Sequence, residues 1–451
     1  MRTIILLSLA ILATPLAAEE AAVQPDQKVS EQQLRADVAA LVSFGTRHTL
    51  SVQDDPKRGI GAARRWGAAQ FRKYGAACGG CLTIVLPERM VQGNRVPKPT
   101  NLVDVVAIQP GTERPNEVVI VEGHIDSRVT DVMNATDNAP GANDDGSGTA
   151  LVLEAARVLS QYKHPTTIVY ALVSGEEQGL YGSQLLADYA QEHGWTVKAV
   201  FNNDIVGNSC GSDGYCDAEH VRVFSEGPRA DLDDAGRAAQ RRDGGENDSP
   251  SRNLSRWLDN LAGGIEGGLD VRQVWRADRM GRGGDHLPFL AKGYPAVRFT
   301  VAVENFDHQH QDLRTENGIE YGDTEKFMDF AYLAKVTRLN VRGLDLLART
   351  PLPPTPVAEA AVQTYTTIKW NEVPGAVDYT IWHRRTDEPY WEPEPVIAHV
   401  VATSAKLEGV RGDDWIFGVS ANSAEHISSP IASAVPGGGF VPFGSDKGDG
   451  K

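Results

Sequence analysis

Three patterns of apolar and polar positions succeed one another along this chain of 451 residues, and each predicts a different kind of element. The stretch SEQQLRADVAALVSFGTRH places apolar residues at helical spacing behind a Ser-x-x-Gln start, which predicts a capped amphipathic helix. A second helical pattern runs through GAARRWGAAQFRKYG. Four apolar, β-branched runs follow, NLVDVVAIQ, EVVIVEGH, TIVYALVSG and VKAVFNND, with the helix former SGTALVLEAARVLSQY between the second and third. YPAVRFTVAV predicts one more strand. Continuous apolar strands interleaved with helices predict an α/β domain, its mostly parallel sheet covered by helices on both faces. Residues 225–284, rich in Gly, Asp, Arg and Asn, read as helix and loop decoration over that sheet, with NLSRWLDNLAGGI as one helical piece. DTEKFMDFAYLAKVTRLNVRGLDLLA predicts a closing helix, which sets this domain at 19–348, and the prolines of RTPLPPTPVA mark a linker at 349–356.

From 357 to 436 the pattern changes to short alternating strands separated by turns, with Trp370 and Trp415 expected in the core of a small all-β sandwich. The W-x-x-V-x-G-A-x-x-Y run from Trp370 to Tyr379 resembles a fibronectin type III domain. Such an appended domain is expected to contact a polymer, a protein partner or the cell surface. Residues 437–451 carry no core-forming pattern and are expected to be disordered.

The opening MRTIILLSLAILATPLAAEE adds a location to this picture. A positive start, a short apolar run and small residues before the first acids are the layout of a signal peptide, expected at 1–18. The apolar run is too short to span a bilayer, and no later one is long enough, so a periplasmic or secreted protein without a membrane span is expected. The formal charge of -16, with no basic stripe, argues against a nucleic-acid partner. Cys78 with Cys81, and Cys210 with Cys216, read as two local disulfide loops in an exported chain; a redox CxxC and a four-cysteine zinc site are the rival readings.

In an open α/β sheet, ligands gather outside the carboxyl ends of the strands. Here those ends carry His124 and Asp126, then Glu176 and Glu177, then Asp204; Asp144 lies in the loop GANDDGSG, and His308 and His310 follow the YPAVRFTVAV run. Singly, each Asp reads as a turn or helix cap and His124 as a core histidine. Together they crowd carboxylates on one rim with no Lys at any strand end, which would raise their pKa values and lower stability. A divalent metal supplies the missing charge, and imidazole with carboxylate suits zinc. One zinc would leave carboxylates over; two zinc ions bridged by a shared Asp use them all.

GHIDS, GANDDGSG, SGEEQGLYGS, NND, GGDHLPF and HQHQD, in that order over residues 30–345, resemble the M28 family of zinc exopeptidases. The resemblance implies a mixed, mostly parallel sheet and two zinc ions per chain. His124, Asp144 and Asp204 would hold one, Glu177 and His308 the other, and Asp144 would bridge them. Asp126 would accept the second ring N–H of His124, and Glu176 would be the general base. Asp285, His286 and Arg282 would line the substrate site, and Arg279 with Arg282 could clamp a substrate carboxylate. The implied activity is an aminopeptidase acting on peptides, with carboxypeptidase and glutaminyl cyclase as alternatives and a non-catalytic binding protein further off. Two departures from the family pattern stand out. Asp307 replaces the Tyr before the last histidine ligand, and Gly284 replaces the Ser of Ser-Asp-His. His310 competes with His308, whose four-residue step to Asp312 fits the family spacing.

Overall fold

The computed structural model describes residues 24–441; the expected signal peptide at 1–18 and residues 442–451 lie outside the described residues. Ser30 caps α1 (Glu31–Ser43), its hydroxyl accepting the Gln33 N–H at 3.2 Å, and Leu34, Val38 and Leu41 turn inward at helical spacing. Next come α2 (Gly59–Ala77), β1 (Thr83–Val85), the hairpin of β2 (Glu88–Gly93) and β3 (Val96–Val103), β4 (Val105–Gln109) and β5 (Arg114–His124). The chain continues through α3 (Gly146–Leu159), β6 (Thr166–Val173), the single turn α4 (Glu176–Gly179), α5 (Tyr181–Glu192) and β7 (Thr196–Asn203). It closes the domain with β8 (His220–Phe224), α6 (Asp234–Arg242), α7 (Pro250–Ala262), β9 (Asp270–Val274), α8 (Leu287–Ala291), β10 (Ala296–Val301), the ribbon β11 (Arg314–Glu316) and β12 (Ile319–Tyr321), and α9 (Phe330–Arg349).

Eight strands form one mixed sheet in the order β1-β4-β6-β5-β7-β10-β8-β9. Its centre, β6-β5-β7-β10, is parallel, whereas β4 runs antiparallel to β6 and β8 antiparallel to β10. The pleat of β5 divides the two cores: Val119 and Val121 pack with Leu34, Phe71, Leu151 and Leu344 on one side, and Val118 and Ile120 pack with Leu186, Ala190 and Phe289 on the other. Strands buried on both faces account for the unbroken apolar runs. One segment read as decoration differs: Asp270–Val274 is β9, extending the sheet edge parallel to β8. Its side chains alternate with charged Asp270 and Arg272 exposed, so no apolar run betrays it.

The remaining strands are β13 (Val357–Glu359), β14 (Tyr365–Lys369), β15 (Asp378–Arg385), β16 (Ile397–Val400), β17 (Ser404–Glu408), β18 (Trp415–Asn422) and β19 (Ala432–Ser433). They form two antiparallel sheets, β13-β14-β17 and β16-β15-β18-β19, around Ile368, Trp370, Tyr379, Ile381, Phe417 and Val419. Trp370 is buried as expected; Trp415 sits at the core's margin, stacked on His383 at 4.2 Å. The expected disorder fails for residues 437–441, because Phe440 is buried and its carbonyl accepts the Thr355 hydroxyl at 2.5 Å. Both disulfides form as local pairs, Cys78–Cys81 and Cys210–Cys216. Among the described residues no helix is long and apolar enough to cross a membrane.

Candidate metal centre

Because β6, β5, β7 and β10 are parallel neighbours, their carboxyl ends deliver side chains to one rim. His124 is the last residue of β5, Glu176 and Glu177 follow β6, Asp204 follows β7, and the loop after β10 brings His310. Asp144 enters from the loop before α3. Its Oδ1 lies 3.2 Å from His124 Nε2 and its Oδ2 lies 2.9 Å from His310 Nε2. Asp204 Oδ1 is 3.8 Å from His124 Nε2, and Glu177 Oε1 is 3.0 Å from His310 Nε2. Two groups result, His124 with Asp144 and Asp204, and His310 with Asp144 and Glu177. Asp144 belongs to both and turns one oxygen to each.

His310, not His308, joins the second group. His308 points away and stacks on Phe327 with centroids 3.6 Å apart. The reason is backbone: His310 has φ 54°, a left-handed conformation that swings its ring back over the rim. Asp312, four residues after His308, accepts the Thr130 N–H instead.

The surroundings fix these groups. Asp145 caps α3 at the Gly148 N–H and also accepts the His124 N–H at 3.0 Å and the Ile205 N–H at 3.3 Å, so one carboxylate ties α3 to the ends of β5 and β7. Asp323 accepts the N–H groups of Asn143 and Asp144. Gln309 donates to Asp144 Oδ2 at 3.2 Å. For Asp126 the expected contact is displaced: His124 Nδ1 lies 3.1 Å from its backbone carbonyl and 3.7 Å from its carboxylate. That carbonyl fixes the tautomer, leaving Nε2 free to ligate. The carboxylate meanwhile accepts the N–H groups of Gly175, Glu176 and Glu177 and the Thr49 hydroxyl, holding the two-glutamate turn to β5.

Charge on the rim comes partly from arginine, although no Lys stands at the strand ends. Arg298, fully buried in β10, pairs with Asp204 at 2.9 Å, and Arg128 pairs with Glu177 at 2.8 Å. Two guanidiniums do not balance Asp144, Asp204, Glu176 and Glu177. Burial raises the Glu176 carboxyl well above its usual range; His124 opposes this, while Glu177, Asp285 and Asp204 add to it. Glu177 Oε1 is buried and, apart from the His310 ring, has no partner among the described residues. Two imidazoles, three carboxylates and an orphaned oxygen fit zinc.

A cleft of about 370 Å³ opens on this centre, walled by Glu176, Leu180, Arg95, Arg128, Arg279 and Arg282. Arg282 therefore sits where the sequence placed it. Asp285 and His286 do not: both are fully buried, Asp285 accepting the Ser183 hydroxyl at 2.6 Å and His286 bound through Nε2 to the Ala277 carbonyl at 2.6 Å. Burial pushes the Asp285 carboxyl up to about 7.

The model of peptidase family M28 matches residues 104–333. A probable zinc metalloprotease of Leptosphaeria maculans is 42% identical over 91% of this chain and 96% of its own length, and one of Pyrenophora teres f. teres is 42% identical over 91% and 86%. The chain belongs to peptidase family M28. It is accordingly an enzyme, a zinc-dependent metallopeptidase. Among solved structures, LapB from Legionella pneumophila is similar at TM-score 0.52 and 18% identity, over 71% of this chain and 72% of that one. The aminopeptidase from Aneurinibacillus sp. strain AM-1 is similar at TM-score 0.50 and 16% identity, over 72% and 96%. These two likenesses concern the fold, a mixed sheet with helices on both faces.

Proposed function

We propose that this M28 peptidase is an exported two-zinc aminopeptidase that removes N-terminal residues from peptides. The observation that carries the reading is the shared carboxylate: Asp144 turns Oδ1 to one His-carboxylate group and Oδ2 to the other. His124, Asp144 and Asp204 would hold the first zinc, and Asp144, Glu177 and His310 the second. Zinc held there would supply Lewis acidity toward the attacking water and the scissile carbonyl. Glu176, on the cleft wall beside both groups, takes the proton of the attacking water and delivers it to the leaving amine nitrogen. Arg128, reaching Glu177 from the cleft, would donate to the carbonyl oxygen. Two local disulfides support export.

The test is metal analysis combined with a substrate panel. Two zinc ions per chain and chelator-sensitive hydrolysis of aminoacyl-nitroanilides are expected; a protein that binds zinc yet hydrolyses neither nitroanilides nor free dipeptides refutes the reading. Carboxypeptidase action is favoured by one observation, Arg282 on the cleft wall, and cleavage of N-acetylated dipeptides would identify it.

A further inference from the structure

The cleft over the metal centre is built for charge. Among the described residues Leu180 is the only aliphatic side chain on its wall, glycines expose backbone on either side of Arg282, and four arginines reach it. Their commitments differ. Arg279 is locked: its Nε lies 3.2 Å from Asp278, its Nη1 3.1 Å from Glu304, and its Nη2 donates to the Gly283 carbonyl at 3.3 Å. Arg128 is held by Glu177, by His310 Nδ1 at 2.6 Å and by the carbonyls of Val129 and Thr130. Arg95, exposed on the hairpin of β2 and β3, commits one N–H, to the Glu177 carbonyl at 3.0 Å. Arg282 is exposed and makes no side-chain hydrogen bond or ion pair among the described residues, although the chain holds 60 acidic against 44 basic residues.

Two zinc ions would cancel the four carboxylates Asp144, Asp204, Glu176 and Glu177, so the arginines leave the cleft positive. A large apolar side chain would find one leucine there; a carboxylate would find a fork with parallel donors matched to its two oxygens.

We propose that Arg282, assisted by Arg95, selects substrates with a carboxylate on a residue flanking the scissile bond. This rests on the peptidase reading and adds a substrate class to it. The carboxylate has two sources, the side chain of an acidic N-terminal residue or the free end of a dipeptide.

Two substrate pairs separate the sources: Glu-nitroanilide against Gln-nitroanilide, and Ala-Ala against Ala-Ala-amide. In at least one pair the acid is expected to exceed the amide in kcat/KM by tenfold or more, with the difference in KM. Arg282→Gln should bring that ratio near one, Arg95→Gln should lower it, and Arg282→Lys should retain part of it. Equal rates within both pairs would overturn the proposal while leaving the peptidase intact. Calorimetry of free glutamate against glutamine on the zinc-loaded protein gives a readout independent of turnover. Glutamate binding tighter than glutamine, for the side-chain source, or alike, for the free-end source, is expected with the binding lost in Arg282→Gln; binding of both unchanged in Arg282→Gln overturns the proposal even if no substrate is cleaved.

Discussion

Glu176 and Glu177 follow an apolar strand, and α4 begins at that pair, so successive side chains diverge: Glu177 reaches His310 and Glu176 faces the cleft. Glu176→Gln is expected to keep fold and zinc while kcat falls by about 10² to 10⁴, the usual contribution of a general base. Glu177→Gln should instead lower zinc content, measured by metal analysis after dialysis. Undiminished turnover in Glu176→Gln would rule out its role. The strand-end residues could be read because each terminates an apolar run. His310 could not, since its choice over His308 depends on a left-handed backbone that no local pattern encodes. His310→Ala should therefore lose zinc, whereas His308→Ala should keep it and lose about 1 kcal/mol of stacking on Phe327. Loss of zinc in His308→Ala with retention in His310→Ala would reverse the assignment.

At the scale of elements, helices with caps and strands buried on both faces were legible from period and run length. The last two strands on one side of the sheet, β8 and the edge strand β9, were not, because strands of five residues set His220 and Arg222, or Asp270 and Arg272, between their buried positions. The loop after β8 holds a buried acid with a measurable consequence. Glu226 accepts the Ala230 N–H at 3.0 Å, and its own carbonyl accepts the hydroxyl of Ser249, the cap of α7. Burial pushes its carboxyl up from 4.5 to about 8. The folded state thus holds this proton more tightly than the unfolded chain between those values, so stability falls as pH rises from about 4.5 to 8, by at most about 1.4 kcal/mol per unit. Glu226→Gln keeps an acceptor for Ala230 and removes the proton. Urea titrations at pH 5, 6.5 and 8 should show the variant gaining on the parent as pH rises; parallel profiles would mean that Glu226 is ionised in the fold.

The whole molecule is joined by polar groups that neither domain's pattern announces. Asp248, before α7, is fully buried and binds Ser433 of β19 at 2.7 Å and Arg384 of β15, itself 3% exposed. Arg256 of α7 donates to the Pro389 carbonyl at 2.8 Å, and Asn253 to Ser433 at 2.9 Å. A domain tethered only for contact with a polymer or partner would not need its host's helix to bury charges against it. The sandwich is thus tied by polar contacts to α7, which packs on β10, the strand whose loop carries His310. Arg384→Ala strips Asp248 of its closest charge while leaving Arg256 at 3.6 Å, and is expected to destabilise by about 3 kcal/mol, the lower end for breaking a buried pair. None of the residues touched belongs to the metal centre, so zinc content and KM of the folded variant should match the parent. Removing residues 355–441 leaves Asp248, Asn253 and Arg256 without these partners, and thermal unfolding should occur at a much lower temperature. A truncated chain that melted with the parent would show the sandwich to be an independent attachment.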